Sequence, residues 1–159
     1  MENGKQISVF LENKPGRLAN VLSALARQKV NVTALTVMDS HEHSVLRFVA
    51  DNHERSRSVL KEMSIPFAES EVCLVELKNQ PGELAHICEQ LGAEHINIEY
   101  AYCSSGGRNG KTVGIFKLAN AAKAGKVLST SNGAQRRKPS APRPLRDKRA
   151  YQAPRAGRD

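Results

Sequence analysis

The chain has 159 residues, of which 40% are hydrophobic, and a formal net charge of +8, a size that suits one average domain or two small ones. No apolar run approaches the ~20 residues of a membrane-spanning helix. The opening sequence MENGKQISVF lacks the basic and apolar segments of a signal peptide. These features argue against a membrane or secreted protein, and we expect a cytoplasmic protein without a membrane partner.

The positive charge is concentrated at the end of the chain. Residues 1–119 hold 13 Lys+Arg and 14 Asp+Glu, whereas residues 120–159 hold 11 Lys+Arg and 2 Asp. Residues 131–159 contain four prolines and seven arginines with few large apolar side chains. Such a segment buries too little surface to offset its ordering entropy, so we expect a disordered basic tail.

The first half of the chain predicts alternating strands and helices. Ile7, Val9 and Leu11 alternate at the period of a strand, a Pro-Gly turn follows, and the next helix carries one apolar stripe at i, i+3, i+4 and i+7. The remaining predicted elements are strands over residues 31–39 and 45–50, with a polar turn at 40–44 between them, a helix over 54–63 and a fourth strand over 67–70.

The second half repeats the first after a shift of 66 residues. Over residues 9–34 and 75–100, nine of 26 positions are identical without a gap. The predicted elements are a strand over 71–78, a helix over 83–94, strands over 97–104 and 112–118 joined by a Gly-rich hairpin, and a helix over 120–129. No strand pattern follows Thr130, so the second copy lacks a clear last strand.

The order β-α-β-β-α-β predicts an α+β fold of two ferredoxin-like modules, each with its helices on one face of an antiparallel sheet. We expect module 1 over residues 1–70, module 2 over 71–130 and the tail over 131–159.

The cysteines are an odd number without a C-x-x-C pair, and we expect reduced thiols that pack as small hydrophobes. They are Cys73, Cys88 and Cys103.

The turn before each first helix is a candidate anion site. Pro15 suits the first helical position and Gly16 leaves the backbone accessible. The N–H groups of Arg17 and Leu18 would then meet a carboxylate or phosphate at the positive end of the helix dipole. Each residue also has a purely structural explanation, since an asparagine caps a helix and Pro-Gly turns a chain.

The pattern of a strand, N-x-P-G-x-L-A, a helix and then V/I-N-V/I resembles the ACT domain, and residues 5–129 resemble tandem-ACT proteins of bacteria. The resemblance implies that modules pair side by side and bind an amino acid between them, with the turn asparagine and the second-strand asparagine as contacts. Some ACT domains also carry a histidine two residues before the turn asparagine, where this chain has Leu11 and Leu77. The candidate ligand-binding residues are Asn13, Pro15, Gly16, Arg17, Leu18 and Asn31 in module 1, and Asn79, Pro81, Gly82, Glu83, Leu84 and Asn97 in module 2.

The two turns differ in charge, because Lys14 and Arg17 in module 1 correspond to Gln80 and Glu83 in module 2. If two equivalent pockets form, we expect only the first to be electropositive. The expected ligand is an amino acid or a similar small carboxylate, and a homodimer is left open.

No pattern of a catalytic triad, P-loop, metal cluster or cofactor site is present, so we expect a regulatory binding protein with no catalysis of its own. The alternative is a nucleic-acid- or ribosome-associated protein that binds through its tail. Ferredoxin-like sheets also bind RNA through strand aromatics, and Tyr100 and Tyr102 share one face of a strand. Three roles are open to those tyrosines: stacking on a base, capping a ligand pocket or packing against the other module. We favour packing against the other module. Further strand aromatics are Phe48 and Phe116.

Overall fold

A computed structural model of the chain describes residues 1–39, 43–105 and 111–130. The predicted turn at 40–44 is described only from His43 onwards. The centre of the Gly-rich hairpin and the basic tail lie outside the described residues.

Among the described residues, ten elements occur in the order of two β-α-β-β-α-β units that share strands, which confirms the predicted α+β fold. The strands are β1 (Glu2–Glu12), β2 (Val32–Asp39), β3 (His43–Ala50), β4 (Phe67–Lys78), β5 (Ile98–Ser105) and β6 (Lys111–Leu118). The helices are α1 (Arg17–Arg27), α2 (His53–Glu62), α3 (Glu83–Ala93) and α4 (Ala121–Thr130). Among the described helices, none is long and apolar enough to cross a membrane.

The strands form a single antiparallel sheet in the order β2-β3-β1-β4-β6-β5. The expected boundary between the modules, at residues 70 and 71, falls inside β4, which runs through it without interruption. The names module 1 and module 2 are kept below for the residues on either side of that boundary.

The place of the last strand in module 2 is occupied by the beginning of β1. Glu2, Asn3 and Gly4 pair with Leu74, Cys73 and Val72 respectively. β1 begins five residues before the apolar alternation predicted from Ile7, because its polar first residues are held by pairing with β4. Module 2 therefore has four strands, one of which comes from the other end of the chain.

Both pairs of helices cover the same face of the sheet. Ile7 and Val9 of β1 are buried with residues of α1 and α2, and Cys73 and Val75 of β4 are buried with residues of α3 and α4. Paired residues of β1 and β4 have sequence numbers of the same parity, so these side chains project to one side. This face holds the two main cores and is called the helix face below.

The opposite face is curled inward and is called the concave face below. On it, Ala34 and Val49 of module 1 cluster with Val72 and Ile115 of module 2. β2 and β5, at the two ends of the strand order, also come into contact. Side chains on strands three steps apart in a flat sheet would stand about 14 Å apart, so this cluster requires strong curvature.

The expectation that all three cysteines pack inside is wrong for two of them. Cys73 is buried on the central strand β4, whereas Cys88 and Cys103 are exposed. Cys103 lies on β5, the last strand in the sheet order. Burial raises the pKa of the Cys103 thiol above its ordinary value of 9.0, and the nearby Cys88 adds to this shift.

Candidate functional site

The turn between β1 and α1 is a type II β-turn. Arg17 N–H donates to the carbonyl of Lys14 at 3.3 Å, and Gly16 has φ 83° and ψ −15°. Those angles suit the third residue of a type II turn, a position that favours glycine, while proline favours the second. Pro15 therefore fixes the turn, and the prediction that it is the first helical residue is wrong.

The same turn recurs before α3. Glu83 N–H donates to the carbonyl of Gln80 at 3.4 Å, and Gly82 has φ 88°. Pro81 precedes Gly82 as Pro15 precedes Gly16, so it too lies outside its helix. The local structure of both turns thus follows from the repeated Pro-Gly pair.

The turn changes which amides face outward at the start of α1. Arg17 N–H is used inside the turn, contrary to expectation, and the N-cap residue Gly16 makes no side-chain cap. The first-turn N–H groups of a helix have no partner within it. Leu18 and Ala19 therefore present their amides at the positive end of the helix dipole, while Asn13 beside them is exposed.

Glu12 is a component of this turn that the sequence analysis missed. Its carboxylate lies 2.7 Å from Arg17 Nη2 and 3.2 Å from Lys14 Nζ. The hydrogen bond from Arg17, followed by the one from Lys14, lowers the pKa of the Glu12 carboxyl below its ordinary value of 4.5. The module 1 turn is therefore less electropositive than Lys14 and Arg17 alone suggest, although one positive charge remains.

The module 2 turn has a different charge pattern. Lys78 occupies the position of Glu12, and Gln80 Nε2 donates to Glu83 Oε2 at 3.3 Å. Glu83 lies in the first turn of α3, where its negative charge occupies the end of the helix dipole. Leu84, beside it, is an exposed large hydrophobic residue. The formal charges of Lys78 and Glu83 sum to zero, whereas those of Glu12, Lys14 and Arg17 sum to +1.

The second-strand asparagines are far from the turn asparagines. Val32 pairs with Ala50 and Phe48 pairs with Ile7, so Asn31 lies level with the start of β1 while Asn13 follows its end. The nine intervening strand positions correspond to roughly 30 Å. Asn31 N–H instead donates to Asp51 Oδ1 at 3.0 Å.

Asn97 has the corresponding position in module 2, where its carbonyl accepts from Ala119 N–H at 3.1 Å. The strand register places Asn97 level with the middle of β4, whereas Asn79 follows the end of β4. The two asparagines are therefore not neighbours. Within one chain, the structure does not bring a turn asparagine together with a second-strand asparagine.

A buried polar network on the concave face links the modules, and the sequence analysis did not predict it. Gln6 is 0% exposed, and its Nε2 donates to Tyr100 Oη at 2.9 Å and to Ser8 Oγ at 3.3 Å. Tyr102 Oη donates to Gln6 Oε1 at 3.0 Å. Burial raises the pKa of the Tyr102 hydroxyl above its ordinary value of 10.0, so it remains a neutral donor.

Arg47 of β3 completes this cluster. Its guanidinium carbon lies 4.0 Å from the centroid of the Tyr100 ring, within the range of a cation–π interaction. Its Nε is buried and has no hydrogen-bond partner among the described residues. In the part of the chain that the structure describes, no group of three or more His, Cys, Asp or Glu side chains is arranged to hold a metal ion.

Comparison with known proteins identifies the family. The family model described as an ACT domain pair matches residues 3–134. Protein BT0572 from Bacteroides thetaiotaomicron is 30% identical and has a similar crystal structure, with a TM-score of 0.76 over 82% of this chain and 89% of that chain.

The chain belongs to the ACT domain pair family.

More distant structures share the ACT-pair fold. The regulatory subunit of aspartate kinase from Thermus thermophilus, in a ligand-free form, is 15% identical, with a TM-score of 0.59 over 82% of this chain and 97% of that chain. A structure of aspartokinase alpha and beta subunits is 20% identical, with a TM-score of 0.57 over 79% and 90%. No curated protein matches the chain.

The strand aromatics of this ACT pair do not form an open RNA-binding platform among the described residues. Phe48 and Phe116 are each 0% exposed within the helix-face cores. Tyr100 and Tyr102 bind Gln6 of the other module, as favoured from the sequence. The predicted nucleic-acid role of the basic tail concerns residues outside the described part of the chain.

Proposed function

We propose that this ACT pair is a regulatory protein, with no catalysis of its own, that binds an amino acid or similar small carboxylate at the β1–α1 turn. One observation carries the proposal: the type II turn leaves the Leu18 and Ala19 amides beside Arg17 and Lys14 without a hydrogen-bond acceptor among the described residues. Membership of the family supports a regulatory role. The protein's three free cysteines suit a reducing cytoplasm.

The charges favour module 1 over module 2 as the carboxylate site. A ligand carboxylate at the first turn gains attraction from Arg17 and Lys14, whereas at the second it meets Glu83. For exposed charges each such interaction contributes about 0.2–1 kcal/mol. The uncapped amides supply direction, because backbone N–H groups at a helix start point toward an anion.

The proposed ligand also has an ammonium or other polar group, and Asn13 offers both donors and acceptors for it. Asn31 and Asn97 are about 20 Å or more from Asn13 by register within one chain. If a second-strand asparagine contacts the same ligand, we infer that a second copy of the chain supplies it. The binding unit is then a homodimer.

A thermal-shift screen of the common amino acids tests this proposal, because a ligand that binds only the native state raises its apparent stability. Asn13→Ala is expected to weaken binding of the amino acid with the largest shift by about 1–3 kcal/mol. Asn79→Ala, the same change at the equivalent turn of module 2, is the matched control and leaves affinity unchanged.

Two results would contradict the proposal. One is a screen in which no amino acid shifts the unfolding temperature of the full chain. The other is equal affinity for Asn13→Ala and the unaltered protein, with circular dichroism showing both folded, which would leave Asn13 a turn residue only.

A further inference from the structure

The cluster of Arg47, Tyr100, Tyr102, Gln6 and Ser8 on the concave face has more hydrogen-bond donors than acceptors. Tyr100 Oη and Ser8 Oγ both accept from Gln6, so each hydroxyl keeps its own hydrogen available. Arg47 Nε is a third donor without a partner among the described residues. Buried donors are rarely left unpaired, because each costs the free energy of its lost hydration.

The charge of the cluster is also uncompensated. Among the described residues, no ion pair joins Arg47 to a carboxylate, and its guanidinium lies over the face of the Tyr100 ring. Lys117 pairs with Tyr100 in register and therefore shares the concave face, where its ammonium donates to the Glu71 carbonyl at 3.3 Å. Two cations and two available hydroxyls thus lie on one face without an anionic partner in the part of the chain that the structure describes.

One side of the cluster is buried, and the other side is partly exposed to solvent. Gln6 and Ile115 are each 0% exposed, whereas Arg47, Tyr100 and Tyr102 retain part of their surface. A small solute can therefore reach the exposed parts of Arg47, Tyr100 and Tyr102 from solvent without unfolding the sheet. Arg47 Nε and Ser8 form the buried end of the cluster.

The polar cluster occurs in only one of two equivalent positions. The 66-residue shift relates Tyr100 to Ala34, Tyr102 to Thr36 and Gln6 to Val72. Ala34 and Val72 are buried in the apolar part of the same face. Since the equivalent half of the face packs without tyrosines or an amide, packing does not require the polar cluster.

We propose that the concave face is a second binding site, which holds the carboxylate of a small molecule at Arg47, Tyr100 and Ser8. A carboxylate has only acceptor oxygens, so it matches a cluster of donors with one uncompensated cation. Arg47 lies opposite Ser8 in the strand register, and its guanidinium carbon lies over the ring of Tyr100. The site differs from the β1–α1 turn, because Gln6 and Glu12 are six positions apart along β1, a distance of roughly 20 Å.

Tyrosine fluorescence offers a local measurement of this site. The chain has no Trp and three Tyr, so the Tyr151→Phe variant emits only from Tyr100 and Tyr102. Titration of this full-length variant with sodium acetate is expected to give a saturable change in emission. Sodium chloride at matched ionic strength is expected to give none.

Arg47→Met in the same background removes the charge and keeps the apolar stem, and the acetate affinity is expected to fall between about ten- and a hundredfold. Arg55→Met, the same change at an exposed arginine on α2, is the matched control and is expected to keep the unaltered affinity. If Arg47→Met does not fold, Tyr100→Phe replaces it, because this change keeps the ring and removes one donor.

The proposal is overturned if acetate gives no saturable change with Arg47 intact, or if the change persists at equal affinity in folded Arg47→Met or Tyr100→Phe. Arg17→Gln separates the two sites. It is expected to reduce the amino-acid thermal shift and to leave the acetate titration unchanged, so either site can fail without the other.

Discussion

Lys5 and Glu71 lie directly opposite each other on β1 and β4, and they are also equivalent positions of the two repeats, 66 residues apart. An approximate twofold axis therefore passes between them. On either side of it, Ile7 pairs with Glu69 and Asn3 pairs with Cys73. The first half of β1 completes the sheet of module 2, and its second half lies in the sheet of module 1. The first half of β4 completes the sheet of module 1, and its second half lies in the sheet of module 2.

Removal of residues 2–4 is expected to destabilise module 2, although those residues stand at the start of module 1. Their loss leaves Val72, Cys73 and Leu74 without their partners on one side, and each lost hydrogen bond contributes about 0.5–1.5 kcal/mol. Hydrogen exchange at residues 72–74 should become faster and the thermal midpoint should fall. The control is a Glu2→Ala, Asn3→Ala double substitution, which keeps the backbone and should retain slow exchange. Equal exchange in the deletion variant would refute the shared-strand account.

Glu12→Gln is expected to increase affinity at the proposed turn site by about two- to fivefold. The Glu12 carboxylate contacts Arg17 and Lys14, so a ligand carboxylate must compete with it. Isothermal titration with the amino acid identified by thermal shift measures the change. Lys78→Gln, at the equivalent position of module 2, should have no effect. Weaker binding after Glu12→Gln would mean that Glu12 supports the site.

The contacts of Glu69 predict an acid-dependent loss of stability. The hydrogen bond from His53, at 2.7 Å, followed by attraction from Arg57, lowers the pKa of the Glu69 carboxyl below its ordinary value of 4.5. A carboxyl with a depressed folded-state pKa stabilises the fold above its unfolded pKa and loses that contribution as the pH falls through its folded pKa. We therefore expect the thermal midpoint to decline below about pH 4.5.

Glu69→Gln should lower the midpoint at pH 7 and make its decline at acid pH shallower. Glu71→Gln, two residues further on the same strand, is the control for removal of one exposed carboxylate. Parallel acid profiles for Glu69→Gln and the unaltered protein would contradict the assignment of this pH dependence to Glu69.

The surroundings of two glycines predict opposite effects of substitution by alanine on stability. A Cβ at Gly114 would lie 2.7 Å from Phe116 Cε2 and 3.0 Å from Leu77 Cδ1, so Gly114→Ala is expected to lower the free energy of unfolding by about 1–3 kcal/mol. A Cβ at Gly92, inside α3, meets nothing within 4 Å, and Gly92→Ala should stabilise the chain by about 0.5–1 kcal/mol. Urea unfolding distinguishes the two, and a neutral Gly114→Ala would show that Phe116 shifts freely.

The basic tail predicts salt-dependent binding of polyanions. Residues 131–159 carry seven arginines, and contacts between such groups and phosphates weaken steeply with salt because counterions are released. A chain ending at Thr130 should lose binding of RNA and DNA in filter-binding assays and keep its amino-acid thermal shift. If the full chain ignores both polymers at low salt, the nucleic-acid role should be abandoned.

The sequence predicted the repeated elements because their apolar residues keep the periods of strand and helix. It did not predict the first part of β1, since Glu2, Asn3 and Lys5 have no apolar alternation and form a strand only through pairing with β4. For the same reason the partner of β4 in module 2 was not found. Pairing between residues about 70 positions apart leaves no local pattern.

The candidate site was predicted in part. The repeated Pro-Gly pairs located both turns, but the same dipeptide suits a helix start and a type II turn, and only the φ of Gly16 and Gly82 separates them. Gln6 and its tyrosines could not be paired from sequence, because the partners are 94 and 96 positions apart. The curvature of the sheet, which no local period encodes, brings them together.

The exchange of strands between modules also affects the order of events during synthesis. Residues 2–4 leave the ribosome before their partners at residues 72–74, which follow about 70 residues later. At typical elongation rates of about 5–20 residues per second, this interval lasts several seconds. During it the edge of the nascent first strand is unpaired and open to another strand. Two chains synthesised side by side could therefore exchange this strand and emerge as an intertwined pair.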